Sequence, residues 1–102
     1  MASIEGFDWD DGNWPKCGKH GVSREDIEVA LSHGALIAPD PAHSHDEDRF
    51  IAVGRNASGR AEFVAVTFRT VDGRRLVRPI SARYMHAKEA KRYAAQSTKT
   101  EY

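Results

Sequence analysis

Apolar and polar positions change their period along this chain, and each change marks an element. Ser23-Arg24-Glu25-Asp26 has the spacing of a capping box, with Val22 and Ile27 at the positions of a hydrophobic staple. Ile27, Ala30 and Leu31 then share one helical face and Gly34 is the natural stop, which predicts a helix between Ser23 and Gly34. Upstream, Asn13 before Trp14-Pro15 reads as an N-cap with proline in the first helical turn. That predicts a shorter helix from Trp14 toward His20, which Gly18 and Gly21 hold to about two turns. Ala35 to Ala38 is a short apolar run stopped by Pro39, a minor strand. From Arg49 the period becomes two: Ile51 and Val53 alternate with Phe50 and Ala52 until the turn cluster Asn56-Ala57-Ser58-Gly59. Glu62 to Val71, rich in β-branched and aromatic residues, is the strongest strand. Asp72-Gly73 suits the positive φ angles of a two-residue type I′ turn, so Arg74 to Arg83 should return antiparallel. Pro79 cannot donate to a ladder, so this last strand lies at an edge or is bulged there. A final helix is predicted over about 86–95, with Ala87, Ala90 and Ala94 on its small face.

These elements predict an α+β fold: a small antiparallel sheet of three to four strands, two N-terminal helices and one C-terminal helix. Helices on one face of such a sheet leave the other for work or for water. Arg49, Arg55, Arg69, Arg75 and Arg83 are the candidates for that open face, Arg75 and Arg83 on one parity up to Pro79. A length of 102 residues, 40% hydrophobic and 29% charged, is enough for one core, so a single domain over 1–102 is expected, with its core at about 7–95 and a loose tail at 96–102. No window approaches a membrane span and the first residues lack a signal-peptide pattern. The lone Cys17 excludes an internal disulfide and cysteine-type metal fingers. A cytoplasmic protein is expected.

The zero net charge conceals a dipole in sequence. Residues 1–48 carry 11 acidic side chains against 3 basic, while residues 49–102 carry 4 against 12, nine of the 12 being arginine. The planar guanidinium fork suits phosphate, so an anionic partner for the second half is one reading. A solvated sheet face neutralised by the first half is the other.

Two constellations carry candidate chemistry. His43-Ser44-His45-Asp46-Glu47-Asp48 contains metal-ligand types, but residues two apart in a loop lack a regularly spaced third imidazole, so an acidic surface loop is expected and no metal is assigned. Lys16, Lys19 and His20 bring cations and a neutral-range titrating group into one short segment. Metal-free RNA cleavage needs a base for the 2′-hydroxyl, an acid for the departing 5′-oxygen and cations for the phosphorane, which a Lys/His/Arg set supplies. His20 capping the first helix is the structural alternative.

Several blocks together resemble the BrnT family, the ribonuclease toxins of type II toxin–antitoxin pairs. They are Phe7-Asp8-Trp9-Asp10-Asp11, Lys19-His20-Gly21-Val22-Ser23, Arg49-Phe50-Ile51-Ala52-Val53-Gly54-Arg55, and Ile80-Ser81-Ala82-Arg83 with Lys88-Glu89 and Tyr93, in collinear order over about 7–93. The resemblance implies a RelE-like form of the fold above, metal-independent RNA cleavage that stops translation, and no cofactor. It also implies neutralisation by a BrnA-type ribbon-helix-helix antitoxin, through which alone operator DNA is contacted; a homodimer is left open. Carried over by position, Lys19, His20, Arg69, Arg78 and Arg83 are the expected catalytic set, and Lys16, Arg49, Arg55 and Arg75 the expected RNA contacts. Phe68, Pro79 and Tyr84 depart from the pattern, replacing an acidic residue, an aliphatic residue and a second arginine. The alternative function is therefore a catalytically weakened module that binds nucleic acid or antitoxin through its arginine face.

Overall fold

The computed structural model describes residues 5–92. Ser23 opens the main helix as predicted: its backbone is extended and its Oγ accepts from the Asp26 N–H at 3.1 Å. Helix α1 runs Arg24–Ser32, buries Ile27, Ala30 and Leu31, and ends before Gly34, which takes a positive φ of 74°. Five strands follow the chain as β1 (Gly6–Phe7), β2 (Leu36–Pro39), β3 (Phe50–Arg55), β4 (Ala61–Val71) and β5 (Arg74–Tyr84), in the spatial order β1-β5-β4-β3-β2. The β2–β3–β4–β5 meander is antiparallel and β1 pairs parallel to β5. Asp72 and Gly73 have φ of 52° and 77°, the backbone the tight β4–β5 turn requires.

The expected RelE-like layout, a three- to four-stranded antiparallel sheet with two N-terminal helices and one C-terminal helix, is thus corrected to a five-stranded mixed sheet. It carries one nine-residue α-helix and a short second helix, α2, over 87–92. The remainder of the predicted last helix and the tail at 96–102 lie outside the described residues. The predicted first helix is only a 3₁₀ turn, Lys16–Gly18, because Asn13 does not cap it. The Asn13 amide instead donates to the carbonyls of Asp8 and Pro79, both at 2.9 Å, and its Oδ1 accepts from Asp10 N–H at 2.8 Å. The side chain that would start a helix is spent tying the N-terminal loop to β5.

Pro79 marks a bulge rather than an edge. Ala65 pairs with Ser81 and Val66 with Pro79, leaving Ile80 as the extra residue. The core fills one face of the sheet, where Ile27 and Leu31 of α1 and Cys17 of the 3₁₀ turn meet Ala52, Val64, Val66, Val77 and Ala82. α1 lies so close on β3 that a Cβ on Gly54 would overlap the carbonyl oxygen of Ala30. Among the described residues no helix is long and apolar enough to cross a membrane.

Candidate active site

The register decides which side chains share the open face. Ile51 stands opposite Ala65, Phe63 opposite Arg83, Ala65 opposite Ser81 and Thr67 opposite Arg78. Without the bulge, Arg75 and Arg83 would lie on one parity. The extra Ile80 flips that parity, so Arg78 joins Arg83 while Arg75 goes to the core side, its guanidinium 4.4 Å from the centre of the Phe68 ring. The expected grouping of Arg75 with Arg83 is corrected for that reason.

On the open face lies a groove of about 300 Å³ lined by His20, Ile51, Phe63, Ala65, Ser81 and Arg83. His20 follows the 3₁₀ turn and is exposed; Arg83 comes from the far end of β5. An imidazole and a guanidinium separated by 63 positions in sequence therefore border one apolar-floored groove, which Ser81 of β5 also lines. The Arg83 guanidinium lies 4.5 Å from the centre of the Phe63 ring and forms a two-point fork with Glu89, Nη1 to Oε1 at 2.9 Å and Nη2 to Oε2 at 3.0 Å. Oε1 also accepts from the His86 N–H at 2.9 Å. The hydrogen bonds from Arg83 and His86 hold the Glu89 carboxyl at a pKa of about 2, and the bond to Glu89 in turn raises that of Arg83.

The other expected residues do not line this groove, although Lys19 directly precedes His20 in the chain. Lys16 and Lys19 are exposed on and just after the 3₁₀ turn. Arg78 is clamped, Nη1 to Asp10 Oδ2 at 3.0 Å and to Asp8 Oδ2 at 3.3 Å, Nη2 to Asp10 Oδ1 at 2.9 Å, and its side chain is only 13% exposed. That fork lowers the Asp10 pKa and raises the Arg78 one. Arg69 stands 3.6 Å from Glu47 with both side chains well exposed. Arg49 lines a separate pocket of about 180 Å³ with His43, His45, Asp46 and Glu47. Arg55 donates to the Gly59 carbonyl within the β3–β4 hairpin. In the histidine-rich loop His43 Nδ1 is engaged by Asp40 Oδ2 at 2.9 Å.

Two departures from the family pattern face away from the groove. Phe68 stacks edge-on against Phe50 with centroids 5.2 Å apart, and both rings pack on the core. The Tyr84 hydroxyl donates to Asp26 at 3.0 Å under the Arg60 guanidinium. Sequence reasoning assigned no role to Glu89, although its place six residues after Arg83 lies within a block that carried the resemblance. Asp8 and Asp10 were read only as part of the first block of the resemblance and Asn13 as a helix cap, none of them as a partner of β5.

The family model for the BrnT ribonuclease toxin of type II toxin–antitoxin systems matches residues 9–89. The chain belongs to the BrnT family. The matched span includes His20, Phe63, Ser81, Arg83 and Glu89, so every residue named at the groove lies inside it. Membership in BrnT makes the protein a ribonuclease toxin of a type II pair, with RNA as its target and an antitoxin as its partner. A search of individually curated proteins gave no match.

Proposed function

We propose that the groove between the His20 segment and the end of β5 is the RNA-cleaving site of this BrnT toxin, and that it works without a metal. The observation that carries this reading is the convergence of His20 and Arg83 on one groove. His20 takes the proton of a ribose 2′-hydroxyl. The O2′–P bond forms, the P–O5′ bond breaks, and the departing 5′-oxygen takes a proton from Lys19, leaving a 2′,3′-cyclic phosphate and a 5′-hydroxyl. Arg83 meets the negative charge that grows on the non-bridging oxygens. No carboxylate lines the groove among the described residues, and Glu89, beside it through Arg83, is committed to that guanidinium. The cation and proton-transfer roles therefore fall to nitrogen groups.

Arg78 and Arg69 have a supporting part in this reading. Arg78 holds the N-terminal loop to β5 through Asp8 and Asp10, and Arg69 extends the cationic face beyond it. Cleavage of messenger or other translation RNA would stop protein synthesis, and the antitoxin would be a ribbon-helix-helix protein of the BrnA type that also contacts operator DNA. The alternative, binding by a bare arginine face, gains little from this geometry because Arg69, Arg78 and Arg83 each already face a carboxylate.

The test is incubation of purified protein with RNA in EDTA. Cleavage should proceed, should leave cyclic phosphate ends, and should fall by roughly 10²–10⁴-fold in His20→Ala. Absence of cleavage, or cleavage that survives His20→Ala combined with Arg83→Ala, rejects the reading. Co-expression with the product of a neighbouring reading frame of ribbon-helix-helix pattern should restore growth to cells expressing the toxin.

A further inference from the structure

A guanidinium has five N–H groups, and the use made of them at Arg83 is informative. Nη1 donates to Glu89 Oε1 and to the Tyr84 carbonyl at 3.3 Å, and Nη2 donates once to Glu89 Oε2. Three donors are thereby taken, all at the end and one side of the group. The two that remain without a partner among the described residues, Nε–H and the second Nη2–H, point the same way from the opposite edge. Two parallel donors on one edge are the arrangement that grips two oxygens of a phosphate. Phe63 supports the flat face of the same group, with the guanidinium carbon 4.5 Å from the ring centre.

We infer that Glu89 is a positioning residue: by holding Arg83 end-on, it turns the free Nε/Nη2 edge of the guanidinium toward the groove as a ready two-point phosphate site. The inference rests on the reading of the groove as the place where RNA phosphate binds. Glu89 is itself anchored, since its Oε1 accepts the His86 N–H at the start of α2. The brace therefore runs from the backbone before α2, through one carboxylate, to a guanidinium at the end of β5. A long arginine side chain on a strand end would otherwise sample many rotamers, and fixing it before substrate arrives removes an ordering cost from binding. Glu89 is not a catalytic residue in this scheme, because it touches Arg83 and never the RNA.

The opposite role for the same contact is a plug, in which the carboxylate occupies the phosphate position and RNA must displace it. The two roles predict opposite signs. The experiment uses the full chain and two oligonucleotides of one sequence, a ribo form and an all-2′-deoxy form whose phosphates bind but cannot be cut by 2′-attack. With Glu89 as a brace, Glu89→Gln weakens binding of the deoxy form by roughly tenfold or more, the scale of a lost charge-assisted fork. Glu89→Asp recovers part of that loss, and Glu89→Gln adds little once Arg83 has been changed to Lys. In the wild-type protein the Arg83 Nε–H resonance moves on addition of the deoxy oligonucleotide, a measurement that needs no variant to fold.

Equal or tighter binding by Glu89→Gln overturns the inference, as does a wild-type Nε–H resonance that ignores the oligonucleotide. If the deoxy form binds in a Glu89-dependent manner while the ribo form remains uncut, the nuclease reading fails and the positioning role stands.

Discussion

Asn13 and Glu62 are two buried polar side chains with opposite accounts. Asn13 is 4% exposed and satisfied on three sides by Asp8, Asp10 and Pro79, so Asn13→Ala strips partners from groups that stay buried. Asn13→Ala should cost about 3 kcal/mol of folding stability, read by urea unfolding, and should loosen the segment that delivers His20. Glu62 is fully buried on the core face of β4, and neither of its carboxylate oxygens has a hydrogen-bond partner among the described residues. Burial, reinforced by the nearby charge of Asp26 and opposed by Arg60, pushes its pKa up to about 7. The folded state thus prefers the proton that the unfolded chain releases near pH 4.5, so stability falls as pH rises from about 4.5 to 7 and stays low above that window. The predicted loss is up to about 3 kcal/mol, and Glu62→Gln should flatten it, with unfolding curves at pH 5 and pH 8 as the measurement. A slope unchanged by Glu62→Gln would place the linkage elsewhere. Alternation with Val64 and Val66 already puts position 62 on the inner face, so the burial was legible in the sequence; the lack of partners depends on what α1 brings above it.

At the scale of elements, what could be read was what local chemistry decides. The Ser23 cap with its Val22 and Ile27 staple gave α1, the Asp72-Gly73 pair gave the β4–β5 turn, and β-branched alternation gave β3 and β4. The losses were tertiary. β1 is two residues long and has no period to detect; it exists because Glu5 and Asp8 N–H groups donate to the carbonyls of Arg75 and Val77 on the edge of β5. The bulge at Ile80 was half legible, since Pro79 announced an irregularity but not its sign, and that sign exchanges Arg75 for Arg78 on the open face. The short approach of α1 to β3 was invisible until Gly54 was seen under Ala30. Gly54→Ala sets a Cβ against a backbone carbonyl that cannot swing aside, so it should destabilise by about 3 kcal/mol, at the upper end of overpacking costs. Thermal melting checks it. Ser23→Ala, which removes only the cap bond to Asp26, should cost about 1 kcal/mol in the same assay.

Over the whole molecule, the acidic first half and the basic second half are folded against each other. The Glu5 carboxylate accepts from the backbone N–H of Arg75 and the Glu5 backbone carbonyl from the guanidinium of Arg74, Asp8 and Asp10 hold Arg78, and Glu47 stands by Arg69. The sequence left open whether the arginines of the second half meet a polyanion or are neutralised by the first half; the fold leaves most of those at the open face already facing a carboxylate or a carbonyl. Salt dependence measures the difference, because each phosphate neutralised on a single strand contributes about −0.7 to the slope of log K against log salt. Engagement of all nine arginines would give a slope of about −6. A site built on the free edge of Arg83, joined by one or two of the exposed lysines of the His20 segment, engages two or three phosphates and should give a slope of about −2. Titrating a 2′-deoxy oligonucleotide at several salt concentrations separates the two. A slope near −2 that becomes shallower by about 0.7 in Arg83→Gln places binding at the groove. A steep slope that Arg83→Gln leaves alone would mean that RNA pulls the arginine face away from its carboxylates, and the groove would lose its claim to be where the strand lies.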